Sequence, residues 1–570
     1  MVPWIVLAAL ATGDGVVAQE SLPPADTPPV LAQEEPQAEF LDAIDVKVVN
    51  VYVYVRDKQG NPITGLTAED FRLLENKRPV PISNFYEVAG GTRIGEEDVP
   101  EPSQLERIQS NPELDPRIPQ VPPDQRLWMV LYVDHFNIRP HNRNRVFNFV
   151  REFLRNSLGR DDRVMLVTYN RSLKVERNFT SDSQLISRAL FDLERHTGGR
   201  TQMDSERRDL LRDIQEARDD LILQSRVKLF AESQFNDLQF TLDALKEMVD
   251  MLGGIPGRKA LVYVSDGLPM RAGEDLFVAA AERYPETLSG LRLESMQYDA
   301  GRRYRDIAST AASNQVAFYT IDAQGLLGRS DRSAEYGSYH WSPEVESIAA
   351  SNMQQPLMFL ADYTGGQAIV NTNNFALGFE KFGRDFSHYY SLGYTPAHGG
   401  TGRQHDLKVE VVGVKGADVR SRRSYRDKPV EREMQEATLA ALQFGVQQNE
   451  IGIRVVPRES IRRTDGTYLV HVDLRIPWEG VTLLPSGDVH RARVRVWIQA
   501  GDAKGRLSEP QVADVPMELR SEDLELAKGK FFVYQLPLQM REGDQRLSIT
   551  VRDDLAARSS FVTQTFRVGS

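Results

Sequence analysis

The segment Leu127–Val133 is apolar at all seven positions and ends at a carboxylate, Asp134. A strand apolar on both faces must be covered on both, as in a parallel sheet flanked by helices. A second run, Ala260–Ser265, also ends in a carboxylate, Asp266, followed by Gly267. Ligands of such sheets bind at the carboxyl ends of the strands. Two carboxylates at two strand ends therefore suggest a cation site. Phe136 and Ile138 stand where that cation would want further oxygen ligands.

The strand–helix alternation continues through residues 127–386. Strands are expected at Leu127–Val133, Arg163–Tyr169, Leu173–Phe179, Lys259–Ser265, Gln315–Ile321 and Gln367–Val370. Helices are expected near Asn142–Leu158, Ser183–Leu193, Asp204–Leu252, Tyr304–Ser313, Glu344–Tyr363 and Asn374–Phe386. The long stretch 204–252 reads as two helices joined near Gln224–Arg226. Its second half is amphipathic through Phe240, Leu242, Leu245, Met248, Val249 and Leu252. This pattern gives an α/β, doubly wound, mostly parallel sheet.

Around that sheet lie other expected units. Residues 1–18 resemble a secretory signal peptide, with an apolar core at Trp4–Ala11 and small residues up to Ala18, though no Lys or Arg precedes the core. No Cys follows the cleavage point, so a lipoprotein anchor is excluded. Residues 19–39, rich in Pro, Glu and Gln, read as a disordered spacer. Residues 40–90 read as a small Ig-like β unit, near the lower size limit for its own core, and so one that packs on the segments after it. Residues 91–126 form a Pro-rich linker. Residues 387–428 are a β extension, 429–449 a helical connector, and 450–570 an antiparallel β-sandwich of period-two strands.

The chain of 570 residues carries a net charge of −12, which argues against a nucleic-acid partner. A local basic patch such as Arg420–Arg426 remains open. With no cysteines, disulfides, thiolate metal sites and cysteine nucleophiles are excluded together. No stretch after the leader is long enough to span a membrane. Gly253–Ala260 lacks the spacing of a P-loop and precedes a strand rather than a helix. Neither a Gly-x-Ser-x-Gly elbow nor a His-Glu-x-x-His motif occurs. His135, beside Asp134, is the one histidine worth following as an acid–base group.

Four pieces in this order are similar to one family: Gly60 through Phe71, the strand ending at Asp134, Pro256–Ala260 leading into Val264–Gly267, and Tyr390–Tyr394. Over roughly residues 44–425 the chain resembles the von Willebrand factor A (VWA) domain, and more closely the bacterial VWFA-related family described from acidobacterial proteins. The resemblance implies an Asp-x-Ser-x-Ser motif, a later Thr and a further Asp holding Mg²⁺ or Mn²⁺, with a partner's carboxylate completing the shell. Carried onto this chain, Asp134, Thr201 and Asp266 match. Phe136 and Ile138 replace both serines, and Asn137 offers an amide oxygen only if the loop shifts register.

The metal-ion-dependent adhesion site is thus degenerate. The alternative to a cation is neutralisation by Arg139 or Arg200. The expected function is an exported (periplasmic, surface or secreted), non-enzymatic binding module for an unknown protein partner, with a ligand edge at Asp134, Asn137, Thr201 and Asp266. An enzyme using the acidic edge with His135 is one alternative. A scaffold docking partners through helices 204–252 is the other. A surface role for Asp134 predicts that Asp134→Ala leaves folding intact.

Overall fold

The computed structural model describes residues 48–90, 92–94, 126–159, 162–196, 200–216, 220–326 and 342–569. The leader, the spacer and nearly all of the Pro-rich linker lie outside the described residues. The described residues divide into two compact units, 48–436 and 437–569.

In the first unit, six strands form the expected sheet. Their spatial order is Gln367–Ile369, Val316–Asp322, Arg258–Ser265, Leu127–Asp134, Arg163–Tyr169 and Leu173–Thr180. All neighbours are parallel except the last pair. The order reverses between Leu127–Asp134 and Arg258–Ser265, which makes this the switch point of a doubly wound sheet. Every residue of those two central strands is buried. Each fully buried Val, Leu or Met there contributes about 1.5–3 kcal/mol relative to exposure.

Helices cover both faces. Pro140–Ser157 and Phe375–Ser387 bring Val146, Phe147, Val150, Phe379 and Phe382 onto Leu127, Met129, Leu131 and Val133. On the opposite face, Thr320 donates its hydroxyl to the Leu357 carbonyl at 2.9 Å, seating helix Pro343–Thr364. Ser342 caps that helix, Pro343 occupies its first turn, and Gly365 ends it in the left-handed region at φ 82°. A side chain at Gly365 would meet the Ser421 backbone at 2.7 Å, so glycine is required there on two counts.

The small β unit does not stand apart from the 387–428 extension. Val49–Arg56 pairs with Tyr389–Tyr394 and Asp418–Ser421, and Phe71–Glu75 pairs with Gln404–Val411. The two resulting sheets share one core through Val51, Val53, Leu73, Leu392, Tyr394, Leu407 and Tyr425. A unit this small buries too little apolar surface alone, so the distant segment supplies the missing strands.

Three further differences have physical causes. Helix Glu274–Arg283 is missing from the sequence pattern because Leu276–Ala281 is buried all round, leaving no 3.6-residue periodicity to detect. The long helical stretch divides into Arg200–Glu216 and Asp220–Met251, earlier than expected, and Phe240 faces outward at 64% exposure. The Arg420–Arg426 segment is no basic patch. Arg420 pairs with buried Asp385, and Arg422 donates to the carbonyls of Ala312 (2.9 Å) and Asn50 (2.7 Å).

The second unit carries two antiparallel sheets around one core that includes Val472, Leu474, Val494, Val496, Leu536, Ile549 and Val551. Its strands Tyr468–Pro477, Val489–Asp502, Phe531–Met540 and Gly543–Asp553 enclose the period-two runs of the sequence. Among the described residues no helix is long and apolar enough to cross a membrane.

Candidate functional site at the switch point

Asp134 and Asp266 emerge side by side at the carboxyl ends of the two central strands, and both are fully buried. The loop after Asp134 is an Asx-type turn. The Asn137 amide N–H donates to Asp134 Oδ1 at 3.0 Å, and its side-chain Nδ2 donates to Oδ2 at 2.9 Å. Tyr263, from the neighbouring strand, donates its hydroxyl to the same Oδ2 at 2.5 Å. Asp266 accepts from the Arg139 N–H at 3.0 Å and from Asn142 Nδ2 at 3.0 Å. Burial pushes the Asp134 carboxyl up to about 6, against the hydrogen bonds from Tyr263 and Asn137. Asp266 is also raised by burial, with the charges of Arg200 and Arg139 opposing.

Phe136 and Ile138 turn inward. Ile138 is fully buried in the main core, and Phe136 packs edge-on to Tyr169 with the Arg171 guanidinium over its ring. The loop is therefore folded around two apolar anchors rather than around an ion. The described donor set does not fit a hard octahedral cation. Both carboxylates already accept protein donors, and Asn137 presents N–H groups, not its oxygen, to Asp134. Thr201 falls in the first turn of helix Arg200–Glu216, and its side chain lies outside the described residues. Asp134 is thus no surface ligand. The expectation that its truncation leaves folding intact is corrected by its burial and its three hydrogen bonds.

His135 is held away from the acidic pair. Its Nδ1 accepts from Arg143 Nη1 at 3.1 Å, which fixes the proton of the neutral ring on Nε2. Burial, then the Arg143 charge, pushes the ring down to about 4, so it is neutral at neutral pH.

The edge opens into a crevice of about 70 Å³ that is lined by Arg139, Asp322 and Gln324 but by neither Asp134 nor Asp266. Its arginines are paired: Arg139 donates to Asp204 at 2.7 Å, Arg200 lies 3.4 Å from the same carboxylate, and Arg207 donates to Asp275 at 3.1 Å. Burial raises Asp204, but Arg200 and Arg139 outweigh it and hold the carboxyl below its usual value. Among the described residues lining the crevice there is no Ser, Thr, Cys or His.

The sequence pattern passed over Asn142, Tyr263 and Asp322. The signal for Asp322 was present, since it ends a third parallel strand as Asp134 and Asp266 end theirs. It is 2% exposed, accepts from Gln354 Nε2 at 2.8 Å, and is pushed up to about 6 by burial and by the Asp266 charge. The folded chain therefore takes up this proton before the unfolded chain does. The stability Asp322 contributes is full below about pH 4 and is lost as pH rises through about 6. A displacement from 3.8 to about 6 is worth roughly 3 kcal/mol. Asp322→Asn cannot titrate. The unfolding free energy of wild type, less that of the variant, is expected to fall by roughly 2 kcal/mol from pH 4 to pH 7 in urea titrations. A pH-independent difference would show that Asp322 is not buried as a charge.

No family model matches the chain, and no curated protein matches it. Among solved structures it is similar to an aerotolerance-related membrane protein from Bacteroides fragilis, at 8% identity and TM-score 0.23, over 46% of this chain and 98% of that one. It is similar to a von Willebrand factor type A protein from Catenulispora acidiphila, at 9% identity and TM-score 0.22, over 78% of this chain and 66% of that one. A third is the manganese-loaded TRAP protein of Plasmodium vivax, at 11% identity and TM-score 0.20, over 53% of this chain and 94% of that one. Likenesses this low decide nothing about the chemistry of the site.

Proposed function

We propose that the chain is an exported, non-enzymatic, VWA-like binding module that engages a protein partner at the carboxyl edge of its parallel sheet without a metal ion. The observation that carries this reading is the crevice at the switch point. Its volume of about 70 Å³ admits a side chain, whereas pockets for cofactors and comparable small molecules run from roughly 300 Å³ upward. Its fixed Arg–Asp pairs offer hydrogen bonds at set positions, and its described lining holds no Ser, Thr, Cys, Lys or His side chain. His135, neutral and bonded to Arg143, supplies no base toward the edge.

One observation favours a second reading, a scaffold docked through the long helix. Leu229 and Phe240 are 66% and 64% exposed and lie about three turns apart on one face of Asp220–Met251. A single experiment separates the two. The full chain, immobilised, is used to retain proteins from an extract of its own source. Ala350→Trp fills the crevice without changing a charge and is expected to abolish retention, while Leu229→Glu leaves it intact. The opposite pattern selects the scaffold. Retention unaffected by Ala350→Trp would sink the edge as the binding site.

A further inference from the structure

A second cluster of chemistry lies in the β layer of the first unit, in residues the edge does not use. Glu75 ends strand Phe71–Glu75, His405 lies at the start of strand Gln404–Val411, and His398 sits on the preceding loop 395–403. His405 pairs across the sheet with Tyr425, and Leu407 pairs with Glu75. The fold thus brings together residues 323 positions apart, Glu75 and His398.

Glu75 Oε1 lies 3.0 Å from His398 Nε2 and 3.8 Å from His405 Nδ1. The three ligand atoms all fall within 4.8 Å of one another. Tetrahedral bonds of about 2.1 Å give ligand–ligand edges of roughly 3.4 Å, which the two Glu75 distances bracket. His398 turns its other nitrogen, Nδ1, toward the buried Asp427 carboxylate at 3.4 Å. Asp427 is itself fixed by the Thr401 N–H at 2.9 Å. A carboxylate behind a ligating imidazole is the arrangement that orients metal-binding histidines. His405 is 8% exposed; its Nδ1 accepts from Asn76 Nδ2 at 3.0 Å, a bond that a metal on Nδ1 must displace, and its Nε2 has no hydrogen-bond partner. Tyr425 and Tyr394 donate to Glu75 Oε1 at 2.8 and 3.0 Å and hold its rotamer, so a metal on this oxygen must displace one of these donors.

We propose that Glu75, His398 and His405 bind a divalent transition metal of the zinc class, with Asp427 as a positioning residue. Two imidazoles and one carboxylate suit zinc better than the hard cations Mg²⁺ or Ca²⁺, and three protein ligands leave a fourth position for water or a partner group. The imidazole rings lie 3.9 Å apart and 8° from parallel, so one must tilt for both nitrogens to reach a common point. His398 is the one placed to do so. Its loop contains Gly399, Gly400 and Gly402, the last two at positive φ.

The test uses the metal-stripped full chain, titrated with Co²⁺ and read by its tetrahedral visible absorption, then with Zn²⁺ by calorimetry. One equivalent is expected to bind. His398→Ala and Glu75→Gln are each expected to weaken binding at least about 100-fold, and Asp427→Asn about 10- to 100-fold. His141→Ala, an exposed histidine elsewhere in the unit, serves as the control and should bind as wild type. Unfolding midpoints without metal show that His398→Ala, a partly exposed loop change, still folds. Absence of a tetrahedral Co²⁺ spectrum in wild type would overturn the proposal. So would equal binding by wild type and a folded His398→Ala.

Discussion

Asp385→Ala is expected to lower the unfolding free energy of the 48–436 unit by about 3–5 kcal/mol, among the largest effects a single change there should have. Asp385 is fully buried near the end of helix Phe375–Ser387. Its carboxylate accepts from Arg56 Nη2 at 2.7 Å, from Arg420 Nη2 at 2.8 and 2.9 Å, from Gln367 Nε2 at 2.5 Å and from the Tyr319 hydroxyl at 3.3 Å. Those donors come from two strands of the β layer, from an edge strand of the parallel sheet and from the strand beside it. One carboxylate therefore ties the two layers together. Truncation leaves two guanidiniums in a site built for one anion, and Arg56 is only 4% exposed. An uncompensated buried charge costs far more than the pair is worth relative to an apolar replacement. Asp385→Asn keeps the shape and one acceptor oxygen but not the charge, and should fall between wild type and Asp385→Ala. Urea unfolding of the three proteins checks the order. A loss below about 1 kcal/mol for the alanine variant would mean that solvent or another group neutralises the arginines.

The parallel sheet was legible because its strands are short apolar runs between amphipathic helices, and periodicity reports burial where faces differ or apolar runs are continuous. Arg163–Tyr169 and Ser183–Leu193 match their expected limits for this reason. Helix Glu274–Arg283, apolar around much of its circumference, carried no such contrast. Pairings across hundreds of residues were illegible in principle from one chain. Nothing local in Arg56 points to Asp385, and nothing in Glu75 points to His398. At the edge, sequence spacing marked Phe136 and Ile138 as non-ligands, and the structure turns both inward. It did not show that Tyr263, one residue of an apolar run, turns a hydroxyl onto Asp134. A tyrosine counts as apolar in a strand pattern, while its hydroxyl still needs a partner once buried. Together with Asn137, that group makes Asp134 a buried structural acceptor rather than an exposed ligand.

Asp134→Ala is for this reason expected to destabilise the unit by about 2–5 kcal/mol, as the Tyr263 hydroxyl and the two Asn137 donors lose their acceptor inside the protein. Asp134→Asn separates charge from hydrogen bonding. It keeps an oxygen for Tyr263, and it removes a carboxylate whose ionised form burial disfavours, its pKa being pushed up to about 6. Its stability at neutral pH is expected to lie within about 1–2 kcal/mol of wild type. Mg²⁺ or Mn²⁺ at millimolar concentration is expected to act alike on all three unfolding curves, because a cation bound at Asp134 in the folded state would raise the stability of wild type alone by mass action. A rise in wild type that both variants lose would overturn a metal-free edge. It would make Asp134, Asp266 and Thr201 the ligand set after all, and would require Asn137 and Tyr263 to release the Asp134 carboxylate to the ion.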